Sequence, residues 1–167
     1  MATHFPSILT ANLLPDTTGN VYPEPAALNL QANDRFPGVV WVFADTATRI
    51  TLGGRFRVPN NYVGTAKVGL IWAVTGTANA VRWEFDYKAI AAGESSDPST
   101  DDESVGSTVT VPGTARLYTF TEINLTSSNL VAGDWVHFKI ARDGTDAGDT
   151  YVGSAFLEEA YLSYSDT

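Results

Sequence analysis

The sequence predicts an all-β fold: an antiparallel eight-stranded β-sandwich, jelly-roll-like, behind an extended N-terminal arm. Three observations carry this. Apolar residues recur with a period of two from residue 39 onward. Turn-forming residues separate those stretches, and no amphipathic helix interrupts them. A chain of 167 residues that is 44% hydrophobic also suits one core, burying about 70% of the unfolded surface.

Residues 1–36 form the expected arm. Pro6, Pro15, Pro23, Pro25 and Pro37 crowd this end, and each lacks a backbone donor, so at most short edge strands are expected. The arm either packs along its own domain or reaches a neighbouring subunit. Residues 37–167 form the single sandwich domain, whose first strand is Val39–Ala44. Ile50, Leu52, Gly54, Phe56 and Val58 then face inward opposite Arg49, Thr51, Arg55 and Arg57, until Pro59-Asn60-Asn61 ends the run. Val68, Leu70, Trp72 and Val74 make the third inward series, and Thr75–Asn79 has hairpin length and composition. The clearest strand follows: Val81, Trp83, Phe85, Tyr87 and Ala89 share one face while Arg82, Glu84, Asp86 and Lys88 share the other. Val105–Val111 and Arg116–Leu125 are joined by Pro112-Gly113, a pair suited to a type II turn. Ala132-Gly133-Asp134 turns the chain into Trp135–Ile140, and Ala155–Tyr164 closes the set.

Composition removes several classes of function. With no cysteine, a disulfide scaffold, a zinc ribbon and a thiol enzyme are excluded. Acids outnumber bases 19 to 10, which argues against direct nucleic-acid binding. No apolar run approaches the roughly 18 residues of a membrane span, and no signal peptide is visible, so the chain is expected to be soluble and made in the cytoplasm. The net charge of -9 is divided unevenly: residues 35–90 are basic and residues 91–167 strongly acidic. Such a division is either a solvated face or a means for one copy to meet another.

Motifs for chemistry are sparse. No nucleophile elbow, zinc-binding helix or phosphate-cradling glycine loop occurs, and His4 and His137 are the only histidines. No catalytic residue and no cofactor are therefore expected. Glu84 and Asp86 share a strand face and could form an acid–base pair, but Arg82 and Lys88 beside them favour a salt lattice. Glu158 and Glu159, being adjacent, point to opposite faces. The acidic stretch Glu94–Glu103 reads as a solvated loop. Asp143, Asp146 and Asp149 are candidate calcium ligands, spaced three apart around two glycines without the EF-hand pattern; Asx-turn chemistry explains them equally well. Among the aromatics, Trp72 and Trp83 read as core. Trp41 and Trp135 lie on strands apolar on both faces, which points to subunit contact, and the supply of Trp and Tyr raises the question of sugar stacking.

The stretch from Leu130 to Thr150, containing Ala132-Gly133-Asp134-Trp135-Val136 and Arg142-Asp143 with Asp149-Thr150, followed by Ala155–Tyr164, resembles the closing strands of small β-sandwich virion structural proteins of tailed bacteriophages. Arg57–Tyr62 and Val111-Pro112-Gly113-Thr114 resemble the same group, so the likeness covers most of residues 39–164. It implies a non-enzymatic capsid decoration (cement) protein, a homotrimer bound to the major capsid protein on the virion surface. The arm and one sheet face would then lie on the capsid or on sister subunits. The alternative it leaves is a tail fibre or baseplate component, or a carbohydrate (receptor)-binding β-sandwich module.

Overall fold

The computed structural model describes residues 3–4, 14–15, 24–28, 38–95 and 100–166. Its strands are β1 (Thr3–His4), β2 (Leu14–Pro15), β3 (Glu24–Leu28), β4 (Gly38–Phe43), β5 (Ile50–Arg57), β6 (Tyr62–Val74), β7 (Ala80–Ile90), β8 (Glu103–Thr110), β9 (Thr119–Asn124), β10 (Trp135–Arg142) and β11 (Ala155–Asp166). Among the described residues the only helical turn is Ser127–Asn129. One sheet has the order β3-β4-β11-β6-β9, with β1 also on β11, and the other β2-β5-β10-β7-β8; every pairing is antiparallel.

All eight expected strands are present as β4 to β11. Their distribution is that of a jelly roll, because each successive strand crosses to the opposite sheet except β8, which pairs with β7. The described pieces of the arm lie on this chain's own sheets: β3 pairs β4, β2 pairs β5, and β1 pairs the end of β11. Pro15 and Pro25 thus fall on outermost strands, where a missing donor leaves no central ladder broken.

Two expected connections need correction. Residues 75–79 do not make a hairpin, since β6 and β7 belong to different sheets. Both strands carry a full apolar face, so they pack face to face; the rings of Trp72 and Trp83 meet edge-on with centroids 5.7 Å apart. Pro112-Gly113 likewise lies on a crossing, from β8 to β9, and Gly113 does not adopt the positive φ of a type II turn. Asn79 (φ 77) and Arg116 (φ 64) take that conformation instead. The two crossings run side by side, the Val111 N–H donating to the Asn79 carbonyl at 2.8 Å and the Arg116 N–H to the Val74 carbonyl at 2.8 Å.

The inner faces meet around Trp72 and Trp83, both 0% exposed, with Phe43 edge-on to Trp83 at 5.0 Å. The Trp72 indole donates to Thr121 Oγ1 at 2.8 Å, whereas the buried Trp83 N–H has no hydrogen-bond acceptor among the described residues. At the other end of the core, the Tyr87 hydroxyl donates to Glu103 Oε2 at 2.8 Å. Glu103 also accepts from the Thr126 N–H (2.8 Å) and hydroxyl (2.7 Å), joining β7, β8 and the segment after β9. Burial works against the charge on Glu103, but these donors prevail and hold its pKa below the usual value. Burial and the Glu103 carboxylate push Tyr87 in the opposite direction, upward.

A carboxylate with a lowered folded pKa stabilises the protein above its unfolded value of about 4.3, and that contribution disappears as pH falls through the folded value. Glu103→Gln is expected to cost about 2 kcal/mol at neutral pH and to reduce the acid-induced loss of stability, measured by urea unfolding between pH 7 and pH 3.

Candidate functional site

The residues singled out in the sequence separate into structural and exposed groups. Arg142 ends β10 on the inward side and is 0% exposed. Its Nε and Nη2 grip the two Asp149 oxygens at 2.8 and 2.9 Å, Nη1 donates to the carbonyls of Phe43 and Gly153, and Nη2 also donates to that of Tyr151. All five guanidinium hydrogens are therefore used. Asp149 Oδ2 also accepts the Arg82 N–H at 3.0 Å. Asp143 instead accepts from the N–H and hydroxyl of Thr145, whose hydroxyl in particular holds its pKa low, and Asp146 accepts the Gly148 N–H at 2.7 Å. The three candidate calcium ligands thus have separate local partners, two of them in Asx-type turns. Among the described residues no group of three acidic or imidazole side chains gathers around one point.

Glu84 and Asp86 lie on the outer face of the second sheet within a salt lattice. Arg49 bonds both, at 2.7 and 2.8 Å, and the Ser104 hydroxyl donates to Asp86 at 2.7 Å. Both carboxylates are thereby committed to structural partners. His137 is half-buried on the same face, in register with Arg55 and Lys88. Trp135 is 51% exposed there, while Trp41 is partly buried against the core.

A second group of aromatics, which the sequence reading did not single out, covers the outer face of the first sheet. Tyr161 of β11 pairs with Gly69 of β6, and Gly69 pairs with Glu122 of β9. A Cβ added to Gly69 would stand 2.0, 2.3 and 2.5 Å from Cζ, Cε2 and Cε1 of Tyr161. Such similar distances arise only if the ring lies face-down on the glycine, since an edge-on ring would put both Cε atoms much farther away than Cζ. The glycine therefore seats the ring flat across β6. Burial and the nearby Glu122 carboxylate raise the Tyr161 pKa, and Glu122 is itself paired with Lys67 at 2.8 Å.

The next row along the strands holds Phe120, 67% exposed, beside Ile71. Beyond it Tyr118, 46% exposed, reaches across β6 to bond Glu158 of β11, and that bond with some burial pushes its pKa up to about 12. Two tyrosines thus lie across β6 from opposite sides, with Phe120 and Ile71 between them. Four residues of strand separate their rows, about 13 Å. The sequence did carry two signals of this surface: Phe120 alternates with buried Thr121 and Ile123, and Gly69 interrupts a long apolar strand, as close approach by another group requires.

No protein-family model matches the chain, and no curated protein sequence is significantly similar to it. Solved structures share its fold. The cleaved adhesin domain K1 of Lys-gingipain from Porphyromonas gingivalis superposes with a TM-score of 0.58 at 13% identity, covering 99% of both chains. The CBM22-1 xylan-binding domain from Paenibacillus barcinonensis Xyn10C gives 0.51 at 9% identity, covering 99% of this chain and 94% of that one. The enzymatically active domain of bacteriophage CBA120 tailspike protein 4 gives 0.51 at 13% identity; 91% of this chain is covered, but it spans only 19% of the tailspike chain.

Two variants separate the structural group from the exposed one. Arg142→Met leaves Asp149 buried without its partner and is expected to cost about 3–5 kcal/mol in urea unfolding. Gly69→Ala displaces only the far end of the Tyr161 side chain, so the melting temperature should change little, while the phenol moves into solvent and its pKa, read from phenolate absorbance, falls toward about 10.

Proposed function

We propose that this chain is a non-enzymatic carbohydrate-binding β-sandwich module that holds an extended neutral glycan on the outer face of its first sheet. The observation that carries this reading is the Tyr161 ring lying flat on Gly69. A ring held flat on a rigid strand can act as a stacking platform for the apolar face of a pyranose, and its orientation is fixed before the ligand arrives. Phe120, Ile71 and Tyr118 extend the platform along the strands, while Glu122, Lys67 and Asn124 line it with groups able to hydrogen-bond sugar hydroxyls.

This is the alternative that the sequence resemblance left beside capsid decoration. It is favoured because the shared fold occurs in domains named for xylan binding, for adhesion and for a phage tailspike. Trimer formation and contact with a capsid protein draw no support from these likenesses. A role as a receptor-binding part of a tail remains within the reading, since it too rests on glycan recognition.

Binding is tested by a glycan array followed by calorimetry with the best neutral oligosaccharide. Tyr161→Ala and Phe120→Ala should each weaken binding by about 1 kcal/mol, roughly fivefold in Kd, with unchanged melting temperatures. Failure to bind any neutral glycan, or full affinity in Tyr161→Ala, would refute the proposal.

A further inference from the structure

The outer face of the second sheet is chemically unlike the first. Of the described bases in residues 38–90, all but Lys67 lie on it: Arg49, Arg55, Arg57, Arg82 and Lys88, joined by Lys139 of β10. Some of these bases are neutralised, Arg49 by Glu84 and Asp86, and Lys88 by Asp102. Others are not. Arg55, Arg57 and Lys139 are exposed, and none has a carboxylate partner among the described residues.

Arg55 and Arg57 stand close to Trp135. The register places Trp135 beside Arg57, His137 beside both Arg55 and Lys88, and Lys139, about 13 Å farther along β10, between Gly53 and Asp86. The Arg55 guanidinium carbon stands 5.9 Å from the centre of the Trp135 ring, and the Arg57 Nε donates to the Gly133 carbonyl at 3.1 Å. Clustered cations on one strand face repel one another. In a chain of net charge -9, with acidic residues plentiful elsewhere, leaving them unneutralised beside an exposed indole serves the capture of an anion that also carries an apolar ring face.

We propose that the Trp135 end of this face binds an anionic glycan, a pyranose chain bearing carboxylate or sulfate groups. The inference rests on the carbohydrate-binding reading above and adds a second subsite with its own ligand class. Trp135 stacks on a sugar ring, and Arg55, Arg57 and Lys139 take the charged substituents. Arginine's planar fork suits both oxyanions.

The test titrates the full chain with three probes: an oligogalacturonate for carboxylate, a sulfated heparin-type oligosaccharide for sulfate, and a neutral xylo-oligosaccharide. At least one acidic probe should bind, and Arg55→Gln/Lys139→Gln should weaken it about tenfold or more, with Trp135→Ala doing the same. Raising salt from about 0.01 M to about 0.15 M, which shortens the screening length from about 30 to about 8 Å, should also weaken it. The response to the neutral probe should not change in any of these variants. All three residues are exposed, and a melting curve confirms that each variant folds. Absence of binding to either acidic probe, or binding indifferent to both variants, overturns the inference. So does equal binding of single-stranded DNA or polyglutamate of matched charge with Trp135→Ala at full affinity, because the face would then be an electrostatic surface for another polyanion. The two readings fail separately: loss of all neutral-glycan binding counts against the Tyr161 platform, and loss of acidic binding alone counts against this subsite.

Discussion

Arg142 carries its charge at full burial, and the end of the sandwich is organised to make that tolerable. A buried guanidinium incurs a large desolvation penalty, which is offset only if every donor is satisfied and a counter-charge lies close by. Asp149 supplies the counter-charge in a two-pronged contact, and the carbonyls of Phe43, Tyr151 and Gly153 take the remaining hydrogens. Because the Asp149 carboxylate also holds the Arg82 N–H, one ion pair ties β4, β7 and β10 to the loop that leads into β11. That loop is shaped to fit: a Cβ on Gly144 would come within 2.6 Å of the Thr46 carbonyl, and Thr150 Oγ1 accepts the Ala80 N–H at 3.0 Å. The pair fixes where the last strand enters the first sheet. The position of Tyr161 on that strand, and therefore of the aromatic platform, follows from it.

Within this frame the two outer faces are free to differ, since both inner faces already commit their side chains to one core. Glycine at position 69 makes the difference on the first sheet. A side chain there would stand Tyr161 upright; without one, the ring lies across the strand and becomes part of the surface. On the second sheet Arg49, Glu84, Asp86 and Lys88 are paired, while Arg55 and Arg57 near Trp135 have no carboxylate partner among the described residues. The protein therefore offers an apolar aromatic surface and a cationic one on opposite sides of a single sandwich.

Much of the fold was legible because period two is a direct consequence of strand geometry. Val81, Trp83, Phe85, Tyr87 and Ala89 fall inward as the alternation requires, and Trp72 is a core residue too. The connections were not legible. Residues 75–79 have hairpin composition, yet whether two strands pair by their edges or stack by their faces depends on the whole topology, which local residues do not encode. Within the segment that carries the virion-protein resemblance, Arg142 and Asp149 form the buried lock and Thr150 Oγ1 accepts the Ala80 N–H, so these residues have a structural role. The aromatic platform stayed hidden because it combines residues from β6, β9 and β11, brought together only when β6 pairs with both neighbours.

Amide chemical-shift mapping during a titration tests most directly whether the Tyr161 platform is a glycan site. With a neutral oligosaccharide that binds, the largest changes should cluster at Gly69, Ile71, Phe120, Glu122 and Tyr161, leaving β5 and β10 undisturbed. Changes confined to other surfaces, or none with any neutral glycan at millimolar concentration, would contradict it.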